Sequence, residues 1–112
     1  MKRGEIWLVN LDPTIGSEIR KTRPAIIVSS DLIGILPLKV IVPLTEWKQR
    51  YAGALWMVRI DPDDINGLSK PSAADGLQVR SVSYKRLVKK LGVVPSIQVA
   101  QIVQAVVNVL QR

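Results

Sequence analysis

A chain of 112 residues, 47% hydrophobic and 22% charged, has room for one domain and enough apolar side chains for a core, which excludes a second catalytic module and intrinsic disorder. Lys and Arg number 16 against 9 Asp and Glu, a formal charge of +7 whose field attracts polyanions such as nucleic acid or acidic protein segments. With no cysteine and no histidine, the chain has no disulfide, no cysteine nucleophile, no imidazole acid or base and no Cys/His zinc site.

Met1-Lys2-Arg3 opens like the basic start of a signal peptide, but Glu5, Asn10 and Asp12 interrupt the apolar stretch that must follow, so no export signal is read. Residues 5–11 are predicted as a first strand, ended by the turn residues Asp12-Pro13-Thr14. A loop then carries Gly16, Ser17, Glu18, Arg20, Lys21 and Arg23. Segments 24–30 and 39–45 are short, nearly continuous apolar runs of the kind that form buried strands, and Pro43 marks the second as an edge or bulged strand. Further strands are predicted at 55–60, about 74–82 and 87–91, with turn clusters at Asp61-Pro62-Asp63-Asp64 and Asn66-Gly67. After Pro95, with Ser96 as N-cap, Val99, Ile102, Val103, Val106, Val107 and Leu110 recur at helical spacing opposite Gln101, Gln104, Asn108 and Gln111. Five or six short strands and one closing helix predict a single mainly β (α+β) domain over 1–112, a small, partly open β-barrel with a C-terminal helix. No apolar stretch approaches the roughly eighteen residues of a spanning helix, so the expected location is cytoplasmic, with no membrane partner.

Segment 16–24, Gly-Ser-Glu-Ile-Arg-Lys-Thr-Arg-Pro, places a glycine, a carboxylate and three cations in one loop, and Pro24 keeps Arg23 out of the helical region. A guanidinium so presented grips a phosphate through two N–H groups, where lysine offers a mobile point charge. The plainer reading is a solvated basic loop, and composition leaves both open. Thr45 is an ordinary strand residue alone, and beside Arg23 a hydroxyl donor to a phosphate oxygen. Gln78 and Arg80, one residue apart on a predicted strand, share a face that either reads a base edge, holds a phosphate, or is simply polar exterior. Lys85, Arg86, Lys89 and Lys90 form a second basic cluster, either a track for a phosphate backbone or a charged edge that discourages strand pairing. The acidic cluster at 61–67 lacks EF-hand register, with Asn66 where glycine is needed and Ser72 where glutamate is needed, so it is read as a turn and no metal site is assigned. Trp7 and Trp56 fall within strand patterns and are expected in the core, which leaves Trp47, between Glu46 and Lys48, to stack on a base.

The blocks RGEIWLVNLDPTIGSE, RPAIIVSSD, VIVPLT and LQVRSVSYKRL, in this order and spacing, resemble the MazF/PemK family of toxin-antitoxin ribonucleases over nearly the whole chain. The resemblance implies an SH3-like barrel working as a homodimer, cleavage of single-stranded RNA without metal or cofactor, and neutralisation by a cognate antitoxin whose acidic, flexible tail fills the RNA groove. It places the family's catalytic arginine and threonine on Arg23 and Thr45 and its Gly-Ser-Glu loop on Gly16, Ser17 and Glu18. Gln78 and Arg80 match its later block, and Lys21 and Trp47 join them as expected RNA contacts. Many relatives carry an acid directly before that glutamine; Leu77 stands there in this chain, so the proton acceptor falls to Glu18 or Asp75. The expected chemistry is attack of an RNA 2′-hydroxyl on its adjacent phosphate, with Arg23 and Thr45 stabilising the phosphoryl oxygens and Glu18 taking the proton. The same fold hosts CcdB-like gyrase poisons, and a basic barrel that binds nucleic acid without cutting it is a third reading.

Overall fold

The two stretches that are apolar without alternation, 24–30 and 39–45, become neighbouring central strands buried on both faces, which is why they lack a polar side. The computed structural model describes residues 1–111. Its elements are β1 (Glu5–Asn10), β2 (Thr22–Ile27), β3 (Leu38–Glu46), β4 (Met57–Ile60), β5 (Ser72–Asp75), β6 (Arg80–Ser83), β7 (Leu87–Val93) and α1 (Ser96–Leu110), with 3-10 turns at Asp31–Ile33, Gln49–Tyr51, Gly76–Gln78 and Tyr84–Arg86. The strands pair antiparallel in the order β4-β5-β3-β2-β1-β7, and β6 lies beside the first half of β3. The sheet is not closed into a barrel: β4 and β7 are its edges. This is the mainly β architecture with a C-terminal helix that the sequence pattern predicts.

On one face, Ile6, Ile26, Val42, Leu44 and Ile60 pack with Val99 and Ile102 of α1. On the other, Val9, Leu11, Ala25, Ile27, Ile41, Val82 and Leu87 form a second cluster. At roughly 1.5 to 3 kcal/mol for each large apolar side chain fully buried, these two layers dominate the stability of the strands between them.

Several local expectations change. Pro43 lies in the central strand, fully buried, and not on an edge. It falls between Ile41, the last residue paired with β6, and Leu44, the first paired with β5, so its missing N–H interrupts no ladder on that side. The strand predicted at 74–82 is two strands, broken by the turn Gly76–Gln78, where Asp75 Oδ1 accepts the Leu77 amide at 3.1 Å. The strand predicted from 55 begins only at Met57, and Trp56, expected in the core, is 41% exposed in the turn before it. Ser96 is the first helical residue and not the cap: Pro95 occupies that position and its carbonyl accepts the Gln98 and Val99 amides. Leu110, placed by its spacing on the packed stripe, is 78% exposed.

The acidic cluster is a turn built on its own amides. Asp63 Oδ1 accepts the Ile65 and Asn66 amides, and the fully buried Asn66 donates Nδ2 to the Asp61 carbonyl at 2.8 Å. This turn lies directly on β7, where Gly67 (φ +71) and Gly92 leave no room for a Cβ against the backbone of Leu91 and of Ile65–Asn66. At the same end of β7, across from Val93, Glu5 is nearly buried and accepts from the Trp7 indole (2.9 Å) and the Lys2 amide (3.0 Å), and it pairs with Lys90 (3.2 Å) and the terminal amine (3.5 Å). Burial by itself raises the Glu5 pKa, but these donors outweigh it and hold the carboxyl at about 2 against an ordinary 4.5. Among the described residues no helix is long and apolar enough to cross a membrane.

Two outcomes follow from this packing. Gly92→Ala is expected to destabilise by more than about 2 kcal/mol in denaturant unfolding, because backbone and not a flexible side chain meets the new methyl; an unchanged midpoint would contradict the close approach. A folded carboxyl titrating near 2 contributes fully above about 4.5 and loses its contribution as pH falls toward 2. Glu5→Gln is therefore expected to flatten the decline of Tm across that acid window, and an unaltered slope would place the acid sensitivity elsewhere.

Candidate active site

β2 and β3 run paired through Ile27↔Ile41, Ile26↔Val42 and Ala25↔Pro43 and then part, since Pro24 has no N–H to carry the ladder on. Continuing that register by two residues sets Arg23 across from Thr45, and alternation puts both on the face of Ala25 and Pro43. Each is held by a different outer neighbour, Arg23 opposite Val9 of β1 and Thr45 opposite Ala73 of β5. A cleft of about 230 Å³ opens there, lined by Arg23, Thr45, Glu46, Lys48, Lys70 and Ser72 together with Pro24 and Leu44.

Arg23 is exposed, and its Nε donates to the Arg20 carbonyl at 3.3 Å, which orients the guanidinium. Among the described residues no carboxylate pairs with it. Glu46, the acid of this cleft, pairs instead with Lys70 at 3.4 Å, with both side chains largely in water. Cations thus outnumber acids in the cleft, which Arg23 and Thr45 both line. Such an arrangement offers hydrogen-bond donors and positive charge to an anion.

An adjoining cleft of about 480 Å³ lies along the same strand, lined by Pro43 of β3, by Ser17, Glu18 and Ile19 of the β1–β2 loop, and by Leu77, Gln78, Val79 and Arg80. The loop that walls it is tied down. Arg80 donates to the Leu11 carbonyl at 3.1 Å, Arg86 to the carbonyls of Asn10 and Asp12, and Asp12 Oδ1 accepts the Lys21 amide at 3.0 Å. Glu18 Oε1 accepts the Ile15 amide at 2.7 Å, and Gln78 Oε1 accepts the Ile19 amide at 2.5 Å.

Of the residues singled out by sequence, Arg23 and Thr45 share one cleft, and Ser17, Glu18, Gln78 and Arg80 share the other. Gly16, Lys21 and Trp47 line neither. Gln78 and Arg80 do not project from one strand: Gln78 ends the turn Gly76–Gln78 and Arg80 begins β6, and the bend brings both onto the same cleft. The Trp47 ring carries the Arg59 guanidinium at 5.2 Å from its centroid and the Tyr51 ring edge-on at 6.0 Å. Asp75 lines neither cleft; it is 6% exposed, and burial pushes its carboxyl up from the usual 3.8 against hydrogen bonds from Leu77 and Gln78. In the second basic cluster, Arg86 anchors the loop and Lys90 pairs with Glu5, on a strand that is a sheet edge. Glu46, Lys48, Lys70 and Ser72 escaped the sequence reading. The first two follow Thr45 directly and lay in plain view, whereas Lys70 and Ser72 arrive through the pairing of β5 with β3, which no local signal announces.

The sequence matches the family described as "PemK-like, MazF-like toxin of type II toxin-antitoxin system" over residues 2–110. The endoribonuclease MazF9 of Mycobacterium tuberculosis is 32% identical over 111 residues, spanning 94% of this chain and 92% of that protein. Among solved structures, MazF of Deinococcus radiodurans superposes with a TM-score of 0.80 at 22% identity, covering 98% of this chain and 96% of the other. An endoribonuclease from Mycobacterial species in complex with its cognate antitoxin superposes with a TM-score of 0.74 at 20% identity, covering 98% and 94%.

Proposed function

As the chain belongs to the PemK-like, MazF-like toxin family of type II toxin-antitoxin systems, we propose that it is an endoribonuclease that cuts single-stranded RNA at a short recognition sequence, without metal or cofactor. The observation that carries this reading is the meeting of Arg23 and Thr45 across the parted ends of β2 and β3, in a cleft where cations outnumber acids.

The nucleophile belongs to the substrate. A ribose 2′-oxygen forms a bond to the adjacent phosphorus as its proton passes to the Glu18 carboxylate, and the bond from phosphorus to the 5′-oxygen breaks. The leaving oxygen takes a proton from solvent, and the ends are a 2′,3′-cyclic phosphate and a 5′-hydroxyl. Arg23 and Thr45 stabilise the charge that gathers on the phosphoryl oxygens, a contribution of about 3 to 4 kcal/mol for a preorganised donor. In-line attack needs a splayed strand, which a stacked duplex does not offer, so the substrate is single-stranded. Glu18 is the acceptor favoured by position: it walls the cleft that adjoins the Arg23–Thr45 cleft along β3, whereas Glu46 is paired with Lys70 and Asp75 lies behind its turn.

The partner chemistry follows from the net charge of +7: an antitoxin with an acidic, flexible tail covers the same clefts and excludes RNA. A homodimer belongs to the same proposal, supported by apolar side chains that one chain leaves in water, Leu32 and Ile35 at 97% exposure among them.

Purified protein incubated with mixed-sequence RNA in EDTA is expected to yield cut ends that share a motif and carry cyclic phosphates. Arg23→Ala and Thr45→Ala are each expected to lose about 100-fold or more in kcat with circular dichroism unchanged. RNA left whole by the natural chain, or full activity in either variant, would overturn the reading, and trapped gyrase-DNA complexes would move the protein among gyrase poisons. Glu18→Gln is expected to lower kcat with little change in KM; an undiminished kcat would transfer the proton to another acceptor.

A further inference from the structure

The side-chain amide of Gln78 is engaged through both its oxygen and its nitrogen before any ligand arrives. Its Oε1 accepts the Ile19 amide at 2.5 Å, and its Nε2 faces the Ser17 carbonyl and Asp75 Oδ2, each at 3.4 Å. The orientation is forced. An ionised carboxylate only accepts, so Asp75 keeps Nε2 on its own side and leaves Oε1 to the loop. Asp75 is itself fixed, nearly buried, with Oδ1 holding the Leu77 amide at 3.1 Å. Arg80, Arg86 and Asp12 hold the two ends of the β1–β2 loop, at residues 10–12 and at Lys21. Gln78 reaches the middle of that loop, 59 residues away in sequence, at the two residues that flank Glu18.

We propose that Asp75 and Gln78 are positioning residues, a latch that holds the middle of the β1–β2 loop, and Glu18 with it, against the wall of the larger cleft. A base acceptor reaching for Gln78 Nε2 would first have to displace Ser17 or Asp75, so this side chain sets the loop and does not read the RNA. The catalytic consequence rests on the endoribonuclease reading; the structural one does not.

The test is amide hydrogen exchange, read residue by residue in the RNA-free protein. Gln78→Met keeps the length of the side chain without its hydrogen bonds, and Asp75→Asn puts a donor where an acceptor orients the amide. Each is expected to speed exchange at Ile19 by about fivefold or more, with Ile26 and Val42 in β2 and β3 unchanged. The double variant is expected to go no further than Gln78→Met alone, since both changes open one latch. In cleavage, kcat/KM is expected to fall in step with loop opening while the cut motif stays the same. Exchange at Ile19 within about twofold of the natural chain in Gln78→Met overturns the latch, and if the cut motif changes at the same time, Gln78 is a reader of RNA. A rise shared by Ile26 and Val42 also counts against it, as global destabilisation. Failure of the natural chain to cut RNA would remove the endoribonuclease reading and leave the Ile19 result standing.

Discussion

Between β2 and β3 the ladder ends at Ala25 and Pro43, and the geometry of both clefts follows from where it ends. Pro24 withholds an N–H on one strand. Pro43, whose missing N–H faces away from β2, sits on the partner at the point where the far side of β3 changes from β6 to β5. The two strands separate while still carried by rigid outer neighbours, so Arg23 and Thr45 stand across a gap on elements that packing holds fixed. In the proposed reaction, a guanidinium and a hydroxyl set on sheet with apolar layers on both faces would lose little on meeting a developing charge.

The basic composition serves two purposes that charge counting cannot separate. Three successive carbonyls, of Asn10, Leu11 and Asp12, turn toward Arg80 and Arg86, so those guanidinium groups are structural donors to a loop with few other partners. Lys90 is drawn to the nearly buried Glu5, and Arg59 lies between Asp61 and the face of Trp47. Arg23 and Lys48, by contrast, line one cleft with no carboxylate partner among the described residues.

The fold was legible where burial writes a pattern. Continuous apolar runs announced strands covered on both faces, and the spacing of Val99 and Ile102 announced a helix packed along one stripe. It was illegible where long-range pairing decides. Nothing near Pro43 reveals that a strand changes partner there, nothing near Asp75 reveals the turn that splits one predicted strand into two, and Trp56 looks like core until the strand starts two residues late. At the site, Arg23 and Thr45 stood out through the resemblance to the MazF/PemK family, since the residues alone left a solvated basic loop and an ordinary strand threonine as open readings. The task of Gln78 was not legible, because its partners lie some sixty residues back along the chain, and a side-chain amide serves a loop carbonyl as well as a base.

The most direct test of the central claim, that Arg23 and Thr45 act together on one phosphate, is a double-mutant cycle in kcat/KM on a single RNA containing the recognised sequence. Two donors serving the same developing charge predict that Arg23→Ala combined with Thr45→Ala is scarcely slower than the worse of the two alone. Losses that multiply in full would mean that the two side chains act independently, and would contradict the account.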